Sequence, residues 1–344
     1  MQQRVNRQLY LHQRPRGVPT ADDIRLREVP LGEAAEGEVV LENLYLSLDP
    51  AQRDWMSDNV SYLPPIPIGG PIRSTSLGRV IASRHPRFRV GDYAMGLAVN
   101  AWESFSITAG DLLTPVERMD PYPLRYHLSI FSAAMGLTPY FGMLEVGQPQ
   151  AGDTALISAA AGAVGSIAGQ IAKIRGCRVV GLTGSDDKCR WLTGELGFDA
   201  AINYKSCANL TDAIAATCPE RVNIYFDNVG GAMLDAALMN LADGARVVFC
   251  GAISTYNAEG PVPGPYNYWQ VLARSARVQG FLTFTYQDRF AQALADIRGW
   301  LADGQLKFAE DIVDGLENTV AAYSRLFSGD NMGKLLVRLS READ

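Results

Sequence analysis

The chain has 344 residues, which is long for one ordinary folding domain and suits two of about 100–200 residues each. Its composition, 47% hydrophobic and 20% charged, is typical of a soluble globular protein, and its net charge of −6 offers no basic surface for nucleic acid or an anionic membrane. No apolar run approaches the ~18 residues of a membrane span, and no apolar stretch follows the basic N-terminal residues as in a secretory signal. We therefore expect a cytoplasmic protein without nucleic-acid or membrane partners.

The cysteines and histidines form no metal-binding pattern. The five cysteines and three histidines are far apart in sequence and include neither a CxxC nor an HExxH pair. We expect neither a disulfide framework nor a metal site.

Residues 1–128 contain short β-like runs separated by proline and glycine, such as "GEVVLENLYLSLDP", "LGRVIAS" and "GDYAMGLAV". Short runs with turn residues between them predict a compact, mostly β domain. The strand-like "GKLLVRL" near the other end of the chain predicts that residues 308–344 complete this domain.

Residues 129–307 alternate between strands and helices. The apolar "TALISAA" is followed by the helical "GSIAGQIAKIRG", the β-like "CRVVGLTG" and the helical "DDKCRWLTGELG". Further on, a helical "AMLDAALMNLAD" precedes the β-like "ARVVFCG". This alternation predicts an α/β domain with a doubly wound parallel sheet.

A glycine-rich loop joins the first strand and helix of this α/β domain. It has the spacing Ala160-x-Gly162-x-x-Gly165, which is the dinucleotide-binding fingerprint with alanine in place of the first glycine. The second small residue lets the backbone approach a pyrophosphate, the third lets the helix pack on the strand, and the helix N-terminus offers N–H groups. The loop therefore indicates a bound dinucleotide, and the alternative is a tight structural turn.

The end of the second strand selects the dinucleotide. An NAD enzyme has an acid there for the ribose 2′-OH, whereas NADP requires a cation and hydroxyls. Gly184, Ser185 and Lys188 favour NADP(H). Asp186 and Asp187 leave NAD open, since either can be the ribose acid or a residue favoured by the helix dipole.

The ordered motifs of the whole chain resemble one family. "SAAAGAVGS", "LGFDAAINYK", "YFDNVGG", "CGAISTYN", "GPVPGPYNY" and "GDNMGK" are similar to those of the zinc-independent medium-chain dehydrogenase/reductases. The similarity is to the branch of leukotriene/prostaglandin reductases, plant alkenal double-bond reductases and bacterial curcumin reductases. It implies a GroES-like domain, formed by both chain ends, and a Rossmann domain. It also implies NADPH-dependent reduction of a carbon–carbon double bond conjugated to a carbonyl.

The resemblance also implies which residues hold the cofactor. Lys188 and Tyr204, with help from Ser185, would hold the 2′-phosphate, which resolves the ambiguity of the acids in favour of NADP. The implied cofactor residues are Gly162, Ala163, Val164, Gly165, Gly184, Ser185, Lys188, Tyr204, Asn228, Cys250, Gly251, Ala252, Ile253, Ser254, Tyr256, Phe281, Leu282, Thr283 and Asn331.

Tyr256 of the "STYN" motif is the candidate catalytic side chain. Hydride addition to the β-carbon moves negative charge onto the carbonyl oxygen, and a phenol, which is protonated at neutral pH, can donate a hydrogen bond to that oxygen. The alternative is that Tyr256 only packs against, or hydrogen-bonds to, the cofactor ribose.

The sequence departs from the family pattern at two places. Arg53 is kept after "DP", but Ala51 stands where an aromatic residue is common, which enlarges the pocket if this position faces it. The segment Ala133–Pro139 retains Gly136 and Thr138 but has a new proline.

The proline-rich loop after Tyr256 is the candidate cover of the substrate. Tyr266, Tyr268 and Trp269 would then supply apolar walls. Arg53 of the β domain is a further candidate pocket residue. The alternative is a surface loop held down by its aromatic residues.

Two other functions are compatible with the same motifs, a quinone reductase and a catalytically idle NADPH-binding sensor or structural protein. The resemblance further implies a homodimer, joined by sheet edges around "ARVQGFL".

Overall fold

The computed structural model describes residues 4–58 and 61–340, so the outermost residues of the predicted β domain and residues 59–60 lie outside the described part. These residues form two compact units. The first extends to Ser129 and also takes in Glu310–Asn331 and the residues from Leu335 onward, and the second comprises Ile130–Ala309 and Met332–Lys334.

In chain order, the strands and α-helices of the described residues are β1 (Val5–Leu11), β2 (Ile24–Pro30), β3 (Glu38–Ser47), α1 (Gln52–Trp55), β4 (Arg73–Ser83), β5 (Tyr93–Ala101), β6 (Phe105–Ala109), β7 (Leu113–Val116), α2 (Thr138–Phe141), β8 (Thr154–Ile157), α3 (Ala163–Ile174), β9 (Arg178–Thr183), α4 (Asp186–Gly194), β10 (Ala200–Asn203), α5 (Leu210–Thr217), β11 (Val222–Asp227), α6 (Gly231–Met239), β12 (Leu241–Phe249), α7 (Trp269–Ala273), β13 (Arg277–Gly280), α8 (Phe290–Ala302), β14 (Glu310–Asp314), α9 (Thr319–Ser328) and β15 (Lys334–Arg338). None of these helices is both long and apolar enough to cross a bilayer.

The second unit is built on a parallel sheet with the strand order β10-β9-β8-β11-β12-β13. Its central strands β8 and β11 are almost wholly buried and apolar, as expected for a parallel sheet with both faces covered. The order reverses beside β8, and such a reversal opens a crevice at the carboxyl ends of the strands, where α/β proteins bind ligands. The predicted doubly wound sheet is confirmed.

One predicted helix ends earlier than its sequence indicates. The pattern "AMLDAALMNLAD" predicts a helix to Asp243, but α6 ends at Met239. Leu241 instead begins β12, where it pairs with Val222 of β11 and is fully buried. Leu241 is therefore a buried residue of the sheet and not of the helix. A register shift follows it in the pairing of β11 with β12.

The first unit is built mainly on an antiparallel sheet with the order β14-β15-β3-β4-β5-β7, in which β6 also pairs with β3. Strand β15 lies beside β3, with Leu336 opposite Ser47, so the last strand of the chain completes the sheet of the N-terminal segment. Beside this sheet the buried rings of Trp102 and Tyr323 meet edge to face, 5.2 Å apart. The predicted mostly β domain is confirmed, and in the described residues its sheet contains strands from both parts of the chain.

Candidate functional site

Most of the predicted cofactor residues lie at one edge of the parallel sheet. Each of these groups directly follows a strand: the glycine loop follows β8, Gly184–Lys188 follow β9, Tyr204 follows β10, Asn228 follows β11, the segment 250–256 follows β12, and 281–283 follows β13. Because all six strands are parallel, their carboxyl ends share that edge. The fold therefore assembles these residues from six separate places in the sequence.

The glycine loop turns sharply between β8 and α3. Ala159 has a positive φ of 47°, and the N–H of Gly162 donates to its carbonyl oxygen at 2.9 Å. A Cβ at Gly165 would overlap that oxygen and lie 2.9 Å from both Ala159 C and Ala160 Cα. Only glycine therefore allows α3 to begin this close to the loop, which is the role expected of the third small residue.

No side chain caps the N-terminus of α3. Gly162 is the N-cap residue and supplies no side-chain hydrogen bond, and the first-turn N–H groups have no acceptor within the helix. On the outer side, the N–H of Gly333 donates to Ala161 O at 2.9 Å and holds the loop in place. This charge-free turn suits a diphosphate, because backbone N–H groups and the positive end of the helix dipole both favour an anion.

The predicted 2′-phosphate residues surround Gly184 at the end of β9. A Cβ at Gly184 would lie 3.1 Å from the Tyr204 hydroxyl oxygen and 3.1 Å from Lys205 Cε, so both side chains reach across this position. Ser185 caps α4 by accepting from the N–H of Lys188 at 3.3 Å. The Ser185 hydroxyl, the Tyr204 phenol and the Lys205 side chain thus lie near the N-terminus of α4, where the backbone of Lys188 also stands, and such donors suit a phosphate monoester.

The two acids beside this site have partners of their own. Asp186 accepts from the Asn203 side-chain amide at 2.7 Å, and Asp187 forms an ion pair with Arg190. These contacts favour the interpretation of both acids as helix-start residues over a ribose-binding acid.

Lys205 was not predicted from the sequence. It follows Tyr204 in the loop after β10, and β10 pairs in parallel with β9, which brings the two loops together. The sequence signal that could have identified Lys205 is its position directly after the predicted Tyr204 in "NYK".

The segment 250–256 is anchored by its backbone. The N–H groups of Cys250 and Gly251 both donate to Asp227 O, at 2.9 and 3.0 Å, and the Ser254 hydroxyl donates to Val229 O at 2.6 Å. Burial and the nearby Asp227 raise the pKa of the Cys250 thiol to about 12, so the thiol is neutral. Cys250 therefore contributes its backbone groups and the volume of a neutral side chain to this segment, and no thiolate.

The Tyr256 hydroxyl is held inside the same segment. It accepts a hydrogen bond from the N–H of Ala252 at 3.3 Å, and a Cβ at Gly251 would lie 3.2 Å from it. A phenol hydroxyl can both accept and donate a hydrogen bond.

The segment 281–283 is held by the helical stretch that departs from the family pattern. The hydroxyls of Thr138 and Thr283 are 2.6 Å apart, and a Cβ at Gly142 would lie 2.5 Å from the tip of the Phe281 ring. Leu282 between them is about half exposed. The new Pro139 lies inside a continuous helical run from Ala133 to Gly147, in which π-helical turns precede and follow α2.

A cleft of about 540 Å³ lies beside the start of α6. Ala252 and Thr255 line it together with the proline-rich loop from Val262 to Asn267, which includes Tyr266. The loop is fixed at its far end, where the N–H of Asn267 donates to the Asp235 carboxylate at 2.9 Å. Tyr268 and Trp269 are largely exposed and lie outside the cleft lining.

Three residues that the sequence analysis singled out belong to the first unit. Arg53 is buried and donates to the carbonyl oxygens of Pro15 and Gly17, at 3.0 and 3.1 Å, so it fastens the turn at residues 15–17. Ala51 is half-buried against the core of this unit. Asn331 is buried and directly precedes the Met332–Lys334 segment that carries Gly333. A substrate role for Arg53 and a cofactor role for Asn331 stay predictions.

The chain matches known proteins along nearly its whole length. Residues 7–116 match the N-terminal domain of oxidoreductases, and residues 163–298 match the profile described as zinc-binding dehydrogenase. In the described part of the chain, no three His, Cys, Asp or Glu side chains are grouped as metal ligands.

Several similar proteins are named as NADP(H)-dependent reductases. The NADPH-dependent curcumin reductase of Escherichia coli is 37% identical over 98% of each chain, and the NADP(+)-dependent 2-alkenal reductase of Nicotiana tabacum is 38% identical over 98% of each chain. The crystal structure of CurA from Vibrio vulnificus in complex with NADPH is 38% identical, with a TM-score of 0.91 over 98% of this chain and 100% of that one. This chain therefore belongs to the zinc-independent medium-chain dehydrogenase/reductases, in the branch of the curcumin and 2-alkenal reductases.

Proposed function

We propose that this protein reduces the carbon–carbon double bond of α,β-unsaturated aldehydes and ketones with NADPH. The observation that carries the proposal is the set of donors around Gly184, which suits the 2′-phosphate that distinguishes NADPH from NADH. The names of the similar curcumin and 2-alkenal reductases support the choice of reaction. The predicted cofactor residues, from Gly162 to Asn331, are part of the proposal.

The second unit would bind the diphosphate of the cofactor through backbone N–H groups and the 2′-phosphate through positively charged and hydroxyl side chains. The first turn of α3 would bind the diphosphate, and Lys188, Tyr204 and Lys205 would bind the 2′-phosphate. Bound NADPH supplies the hydride for the β-carbon of the substrate.

Tyr256 would stabilise the charge that hydride addition moves onto the substrate carbonyl. Its hydroxyl oxygen is fixed by the N–H of Ala252, so the hydroxyl proton can be donated to the carbonyl oxygen as it becomes an enolate oxygen. The α-carbon then takes a proton from solvent water, which completes the addition of one hydride and one proton across the double bond. Tyr266, which lines the cleft beside α6, would border the substrate. The substrate roles of Tyr268 and Arg53 stay predictions.

The function is tested by following NADPH oxidation with 2-alkenals, aromatic enones and quinones, with NADH in parallel. We expect turnover of the alkenals and enones, a clear preference for NADPH, and a loss of about 100-fold in kcat for Tyr256→Phe, the size typical of one oxyanion donor. Turnover of quinones alone would show a quinone reductase, and tight NADPH binding without any turnover would show an idle binding protein. Either result would refute the proposal.

We also propose a cytoplasmic homodimer that joins through β13. This strand is the outer edge of the parallel sheet, all four of its residues are exposed, and Val278 is 45% exposed, which is unusual for an edge strand that stays unpaired. Sedimentation should give twice the chain mass, and Val278→Lys should give a monomer.

A further inference from the structure

Asp227 ends the central strand β11 and uses its two carboxylate oxygens unequally. Its side chain is fully buried. Oδ1 accepts four hydrogen bonds, from the hydroxyls of Tyr225 (2.9 Å) and Ser158 (3.3 Å) and from the N–H groups of Val229 (3.0 Å) and Gly230 (2.9 Å). Among the described residues, Oδ2 has no hydrogen-bond partner.

This arrangement suits an anion. Burial raises the pKa of Asp227 above its usual value, and the hydrogen bonds from Gly230, Val229, Tyr225 and Ser158 offset only part of that rise. All four groups are donors, and such charge-assisted bonds are stronger than neutral ones. Burying a carboxylate costs free energy of folding, and these four hydrogen bonds offset part of that cost.

The carboxylate fixes Ser158, the first residue of the glycine loop. The Ser158 hydroxyl lies near two acceptors, Asp227 Oδ1 and Phe226 O (3.2 Å), and an anionic acceptor is the stronger of the two. With its proton directed inward, the hydroxyl oxygen accepts from the N–H of Asn228 at 2.8 Å. Ser158 therefore links the buried charge to Asn228.

Asn228 is oriented by the same serine. Its side-chain Nδ2 donates to Ser158 O at 2.8 Å. Since only the amide nitrogen can donate to a carbonyl, this bond sets the direction of the amide and turns Oδ1 away from Ser158. An acceptor then stands at the sheet edge where β8 and β11 end.

We propose that Asp227 is a positioning residue of the cofactor site. Acting through Ser158, it holds Asn228 so that its amide oxygen accepts a hydrogen bond from a cofactor hydroxyl. This inference rests on the proposed function and deepens it.

A double-mutant cycle tests the inference by NADPH binding, measured by titration calorimetry. Asp227→Asn keeps the shape and one acceptor oxygen but removes the charge, and Asn228→Ala removes the acceptor. We expect each single variant to bind NADPH about tenfold more weakly, the usual effect of losing one hydrogen bond that involves a charged or fixed group. The double variant should also be about tenfold weaker, because Asp227 acts through Asn228.

The matched control is Asp296→Asn. Asp296 also accepts from a tyrosine hydroxyl, that of Tyr140 at 2.5 Å, and lies in α8 of the same unit. This variant should bind NADPH within twofold of the wild type. If Asp227→Asn does not fold, Ser158→Ala breaks the same link and takes its place in the cycle.

The outcomes separate this inference from the proposed function. A double variant about 100-fold weaker than the wild type, or an Asp227→Asn variant that binds as tightly as the wild type, would overturn the positioning role alone. Failure of the wild type to bind NADPH would overturn the proposed function itself.

Discussion

Replacing Gly165 by alanine should destabilise the second unit. The added Cβ would overlap Ala159 O and lie 2.9 Å from Ala159 C and Ala160 Cα, whereas ordinary contact begins at 3.4 Å. All three atoms are backbone, so no side chain can rotate away and the loop must shift. Forced overpacking costs about 1–3 kcal/mol, and alanine regains up to about 1 kcal/mol of helix propensity. We expect a net loss of about 2 kcal/mol.

Thermal unfolding measures this loss. For a unit of this size, 2 kcal/mol lowers the Tm by about 4–8 °C. The same shift of the loop should weaken NADPH binding, which calorimetry would report separately.

Gly299→Ala provides the matched control. Gly299 is exposed in the interior of α8, and a Cβ there would have no atom within 4 Å. The same substitution should therefore stabilise the protein by about 0.5–1 kcal/mol. The reasoning fails if Gly165→Ala is as stable as the wild type, or if both variants change the Tm in the same direction.

Three further predictions concern the second unit. Lys205→Ala should weaken binding of 2′,5′-ADP about tenfold by calorimetry and leave 5′-AMP unchanged, whereas Lys173→Ala, a distant surface change, should alter neither. Thr138→Val should cost about 1 kcal/mol in urea unfolding, because it removes a partner of the buried Thr283 hydroxyl, and Thr138→Ser should cost less. Burial raises the pKa of Asp199, but hydrogen bonds from Lys173 and a backbone N–H outweigh it and hold the pKa below its usual value. Its contribution to stability is therefore present above pH ~4 and lost below it, so Asp199→Asn should flatten stability against pH in acid; an unchanged slope would contradict this.

The features that could be read from the sequence are local ones. The spacing from Ala160 to Gly165 predicts a strand, a tight turn and a helix, and each follows from residues within one βαβ unit. Asp186 and Asp187 are interpreted as helix-start residues because the helix dipole favours acids there, and both lie in the first turn of α4. These signals depend on neighbours in the chain, so periodicity and turn chemistry suffice.

The features that could not be read depend on distant partners. Thr138 and Thr283 are 145 residues apart in sequence, and neither has a pattern that names the other. Leu241 resembles the last residues of a helix until its pairing with Val222 places it in a strand. Asp227 reads as the end of an apolar strand, and only the fold shows that its carboxylate is joined to the glycine loop.

Because β15 lies late in the chain, the sheets of the two units are completed at different times during synthesis. The parallel sheet needs only the segment from β8 to β13, so all its strands exist once residue 280 is made. In the antiparallel sheet β3 can pair with β4 and β6 early, but its partner β15 is absent until residue 338 has left the ribosome. The sheet of the first unit is therefore completed only after the second unit has been made, and a stop before residue 334 would damage the unit whose synthesis began first.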